Sequence, residues 1–100
     1  MSSMDEEGFR EFQLKKKRSP RGVDIYVTML KKYQNFLQKH KGHNEINLSS
    51  TEDLIAFGKW LKEENFQQTI INVYKLALKD YFIYKEEVKL AEIVENGFKN

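Results

Sequence analysis

One hundred residues are enough for a single small domain and too few for an enzyme with a substrate cleft between subdomains. A content of 40% hydrophobic and 13% aromatic residues lies above that of disordered chains, while 32% charged residues predict a densely ionic surface. The absence of cysteine excludes disulfides, thiolate metal sites and cysteine nucleophiles, and fits a reducing compartment.

The net charge of +2 is unevenly spread. Residues 1–14 carry −3, residues 15–44 carry +8 and residues 45–100 carry −3, so one third of the chain holds the positive charge. The start "MSSMDEEGF" lacks the basic and apolar regions of a signal peptide, and the longest apolar runs span only a few residues. The expectation is an intracellular, cytoplasmic protein with no membrane partner.

The stretch "KKKRSPRG" combines a charge run with the only proline and a glycine, which predicts a flexible, basic N-terminal segment over residues 1–21 and a helical domain over 22–98. From Asp24, a candidate N-cap, the residues Tyr26, Met29, Leu30, Tyr33, Phe36 and Leu37 recur at helical spacing and predict an amphipathic first helix. "HKGHNEINLSS" has no helical period and reads as a loop. "SSTED" then opens a second helix with Ser50 as N-cap and a core stripe of Leu54, Phe57 and Leu61. Gly58 lies on that stripe, where a missing side chain would let another helix approach closely. The third helix, residues 67 to 84, is apolar over most of its circumference and belongs at the centre of a bundle. Its polar remainder is one stripe, Gln68, Asn72, Lys75 and Lys79. A shorter fourth helix is expected over residues 86 to 95, with Gly97 as stop signal. No two-residue alternation suggests a strand.

Three segments, "YVTMLKKYQNFLQKH", "LSSTEDLIAFGKWL" and "TIINVYKLALKDYFIY", together resemble the N-terminal core-binding domain of tyrosine recombinases, the phage integrase family. The similarity rests on Tyr26, Leu30, Tyr33, Phe36 and Leu37, on a capped helix ending in Trp60 and Leu61, and on Thr69, Ile70, Ala77, Leu78, Tyr81, Phe82 and Tyr84. Val23 stands where the family often has threonine, and "ENFQQTI" lacks the usual Gly-Leu-Ser. The resemblance implies an all-α fold, a compact four-helix SAM-like bundle behind the basic lead-in. It further implies a non-catalytic module that grips double-stranded DNA beside a separate recombinase catalytic domain. Neither His40 nor His43 is followed three residues later by the arginine that the family's catalytic half requires, so no catalytic residue and no enzyme activity are expected.

The candidate DNA-binding residues fall into three sets. Lys15, Lys16, Lys17, Arg18 and Arg21 form the basic run; such a run also serves as a solubilising tail or an address signal. Lys31, Lys32, Asn35 and Lys39 project opposite the apolar stripe of the first predicted helix, on a face without the acids that ordinarily accompany exposed lysines. Gln68, Asn72, Lys75 and Lys79 make the third set, in which glutamine and asparagine can pair with base edges. His40 and His43 have a spacing that could hold a metal, but they flank a glycine and lack companion ligands, so no metal and no cofactor are expected. Trp60 and the tyrosines, at helical spacing, read as core rather than stacking platforms. The function expected is DNA binding, with nucleoid association. The alternative is a helical adaptor that uses the basic face to bind itself or an acidic protein.

Overall fold

The computed structural model of the protein describes residues 4–99 and contains, among them, five α-helices and no strand. These are α1 (Glu6–Lys15), α2 (Pro20–Lys41), α3 (Thr51–Glu63), α4 (Gln68–Tyr84) and α5 (Val88–Glu95), with a single 3-10 turn at Ile46–Leu48 between α2 and α3. The all-helical expectation holds, but the helix count is five rather than four.

The additional helix occupies the segment that composition assigns to a flexible lead-in. Residues 1–3 of that segment lie outside the described residues; from Met4 onward it is ordered into the bundle. Asp5 caps α1 by accepting a hydrogen bond from the Gly8 amide at 3.1 Å, and Glu6 and Glu7 sit in the first turn, where the helix dipole favours them. Phe9 is fully buried, with its ring 5.4 Å from Tyr81 and 6.1 Å from Tyr84. The Asp5 amide donates to the Tyr81 hydroxyl at 3.1 Å, and the Tyr84 hydroxyl donates to Asp5 Oδ2 at 2.6 Å. That last bond, ahead of the Gly8 amide, holds the Asp5 carboxyl below its usual range and pushes the Tyr84 phenol up to about 12.

The apolar period predicts a helix beginning near Asp24, yet α2 begins at Pro20. Ser19 is the N-cap, accepting from the Gly22 amide at 3.1 Å, and Pro20 takes the first helical position, where its missing N–H costs nothing and its fixed φ is already helical. Asp24 lies one turn inside. The Ser50 cap of α3 is present as a full capping box: the Asp53 amide donates to Ser50 Oγ at 3.1 Å and the Ser50 amide donates to Asp53 Oδ2 at 2.9 Å.

Helix ends follow one device. After α1, α3, α4 and α5 the chain turns through a left-handed residue, Lys17, Asn65, Glu86 and Gly97 respectively, and the next amide bonds back to the carbonyl five residues earlier. Only the last of these is the expected glycine.

Two helices share the centre. α2 packs against α1, α3, α4 and the 3-10 turn, while α4 packs against α1, α2 and α5. Leu30, Phe57, Tyr74 and Leu78 are buried, as the helical period predicts. Ile46 anchors the loop between α2 and α3 in the core, and the Tyr33 hydroxyl meets Ser49 Oγ at 2.7 Å beneath it. Gly58 admits the side chain of Phe98, which follows α5: a Cβ added at Gly58 would lie 2.5 Å from the Phe98 Cβ.

Candidate nucleic-acid interface

The five cations of the basic run have different fates. Lys15, Lys16 and Lys17 are exposed where α1 ends, with the Lys16 ammonium 5.1 Å from the Phe12 ring centre, and Arg21 is exposed in the first turn of α2. Arg18 turns inward. Its guanidinium lies 5.0 Å over the Tyr26 ring and 3.2 Å from Oδ2 of Asp80, a carboxylate only 3% exposed that also accepts from Gln13 Nε2 at 3.0 Å. A buried carboxylate requires such partners. Arg18 therefore ties the turn after α1 to α4.

The outer face of α2 divides in a similar way. Lys31 leans toward α1 and meets Glu6 at 3.2 Å; the same Glu6 holds Arg10, which reaches on to Asp24 at 2.6 Å. Hydrogen bonding to Arg10 first, then to Lys31, keeps the Glu6 carboxyl below its usual range. Lys32, Asn35 and Lys39 point the other way, and among the described residues neither of these two lysines has an ion-pair partner.

These three side chains rim a groove of about 470 Å³. Its walls are Phe36 and His40 from α2, Trp60 from α3, Phe66 from the turn that ends α3, and Tyr74 from α4. Phe36 stacks on His40 at 5.3 Å and lies 5.6 Å from Trp60; Trp60 is 5.7 Å from Phe66, which meets Tyr74 edge-on at 6.0 Å. Trp60 also stacks over buried Phe57 at 5.8 Å, so it is core on one side and partly exposed on the other. His40 Nε2 is 3.8 Å from Asp53 Oδ1, whereas His43 Nδ1 accepts from the Glu45 amide at 3.1 Å. The two histidines thus serve different contacts, and the described residues contain no cluster of three or more metal-ligating side chains.

The α4 stripe is brought together as its spacing requires, but it is partly occupied. Gln68 Nε2 donates to Asn72 Oδ1 at 3.0 Å one turn along, and Lys79 lies 3.8 Å from Glu95 of α5. Asn72, Lys75, Lys79, Glu95 and Leu76 line a depression of about 310 Å³. Leu76 and Ile83, exposed by 42% and 43%, share this face.

A family model described as the phage integrase N-terminal SAM-like domain matches residues 7–89. The chain belongs to this family. No curated protein and no solved structure matches it. The SAM-like domain is not the catalytic part of integrases. The match takes in nearly all of α1, so this helix belongs to the domain in sequence as well as in packing. Among the described residues of this SAM-like domain, no helix is long and apolar enough to cross a membrane.

Sequence reasoning finds the lysines and misses the aromatic groove between them. Phe36, Trp60 and Tyr74 occur at core spacing, and Phe66 stands in a polar stretch, "EENFQQ", that carries no period. The signal that could have found it is Phe66 itself, a large aromatic directly after the left-handed Asn65, where helix ends place an apolar contact.

Proposed function

We propose that this SAM-like domain grips double-stranded DNA without chemistry of its own, the outer face of α2 supplying the main phosphate contacts. The observation that carries the reading is the pairing pattern: Lys31 is consumed by Glu6, yet among the described residues Lys32 and Lys39 have no ion-pair partner and the groove they rim is lined by no carboxylate. Unpaired, clustered cations suit a polyanion, and Asn35 between them can donate to or accept from phosphate or base. Lys15, Lys16, Lys17 and Arg21 extend the positive surface. Arg18 is a structural residue in this reading. The α4 stripe is the candidate for entering a groove of the duplex, with Gln68 and Asn72 exchanging their mutual bond for adenine edges and Lys75 close by. A DNA partner is consistent with nucleoid association and with a separate recombinase catalytic domain completing the grip.

The test is duplex binding measured by anisotropy over a salt series. Binding is expected near about 10⁻⁴–10⁻⁶ M for a lone module. Reversing Lys32 and Lys39 to glutamate should weaken all duplexes and flatten the log-log slope by about 0.9 for each phosphate no longer neutralised. Gln68→Ala with Asn72→Ala should instead narrow the gap between preferred and random sequence. Absence of duplex binding by the folded protein at low salt would overturn the reading. A second reading, a helical adaptor, draws support from Leu76 and Ile83, exposed aliphatics on the same side of α4 as Asn72 and Lys79. Self-association or docking that disappears on changing Leu76 and Ile83 to serine, with no DNA binding, would favour it.

A further inference from the structure

We propose that the aromatic groove between α2, α3 and α4 receives an unstacked base of a single-stranded DNA segment, with Lys32 and Lys39 neutralising the flanking phosphates. This rests on the DNA reading and narrows it to a particular site and strand state. The composition of the groove carries the argument. Every described residue lining it is aromatic, cationic, an amide or histidine; among the described residues none of the lining is aliphatic and none is acidic. A groove for an apolar helix presents aliphatic walls, and one for a basic peptide presents carboxylates. A nucleotide strand is the partner in which every repeating unit couples a flat π-face to a phosphate, and single-strand sites answer it with aromatic platforms beside cations.

Geometry agrees. Trp60 is backed by Phe57 at 5.8 Å, so the platform is braced from the core, and Phe66 tilts 48° to it across 5.7 Å as a second wall. Lys32 and Lys39 lie seven residues apart on α2, two turns along one side, so they flank the aromatic floor. Asn35 stands between them, within reach of a base edge or sugar.

Trp60 is the only tryptophan, so its emission reports on the groove directly. The full chain is titrated with an oligothymidine of about ten nucleotides, an abasic strand with the same number of phosphates, a blunt duplex, and an acidic peptide of equal charge. The oligothymidine should quench Trp60 and bind about 5- to 150-fold more tightly than the abasic strand, the range for one stacked base. Lys32→Glu with Lys39→Glu, both exposed and tolerable to the fold, should abolish the quench. Phe66→Leu should cost strand affinity more than duplex affinity. Equal affinity for thymidine and abasic strands, with silent Trp60 and blunt-duplex binding intact, overturns the groove inference and leaves the DNA reading standing. No binding to any DNA overturns both. Quenching by the acidic peptide alone assigns the groove to a protein partner and overturns the inference.

Discussion

Phe9→Ala tests whether α1 is part of the cooperative unit. The Phe9 side chain is fully buried, packs against Tyr81 and Tyr84, and comes from a helix fixed to α2 and α4. Truncating a buried phenylalanine removes its transfer free energy and leaves a cavity, a loss of about 3–5 kcal/mol. A domain of this size has only about 5–15 kcal/mol in total, and each kilocalorie removed lowers Tm by about 4–8 °C. The expected shift is therefore at least about 12 °C downward, with a matching fall in the urea midpoint. A phenylalanine on a mobile lead-in would change stability by no more than about 0.5 kcal/mol. Parent-like melting of Phe9→Ala would refute the docking of α1 and return the domain boundary to residue 22.

Gly58→Ala gains about 1 kcal/mol of helix propensity but sets a methyl 2.5 Å from the Phe98 Cβ, an overpacking worth about 1–3 kcal/mol; Tm should fall, and a raised Tm would show that the chain after α5 moves aside freely. The carboxyl of Asp5 titrates below its usual range in the fold, so its contribution is complete above the ordinary carboxylate range and disappears as pH falls through the lowered value. Asn caps as well as Asp, so the Tm gap between the parent and Asp5→Asn should narrow as pH falls below the ordinary carboxylate range and through the lowered value; a constant gap would remove charge from the account. On the alkaline side, the Tyr84 bond to Asp5 contributes below the ordinary phenol value of 10.0 and is lost as pH rises through about 12, so the same gap should also shrink there.

Helices α2 to α5 are legible in the sequence because their apolar residues recur at 3.6-residue spacing, and the burial of Leu30, Phe57, Tyr74 and Leu78 follows from that period. α1 is not, for reasons that lie in particular residues. Its buried face includes Gln13, which reads as solvent-facing until Asp80 of α4 is placed against it. Its end is marked by Lys17 in a left-handed conformation rather than by glycine, and lysine carries no such signal. The candidate site is legible only in part because charge pairing is tertiary. Glu6 claims Lys31, and Asp80 claims Arg18 across 62 residues; neither spacing is a helical or strand period.

Internal pairing also limits how strongly the domain can hold a polyanion. Residues 15–44 contain nine lysines and arginines, but Arg18 is committed to Asp80, Lys31 to Glu6 and Lys41, at 3.7 Å, to Asp53. Six cations remain without an ion pair among the described residues: Lys15, Lys16, Lys17, Arg21, Lys32 and Lys39. Each phosphate they neutralise contributes about −0.9 to the salt slope, so this set can supply at most about −5. If only the two lysines of the α2 groove touch the duplex, the slope is about −2, and the cations at the end of α1 lie off the DNA. The slope therefore measures whether α1, besides bracing the core through Phe9 and drawing Lys31 away through Glu6, also brings its own lysines onto the same phosphate path as Lys32 and Lys39.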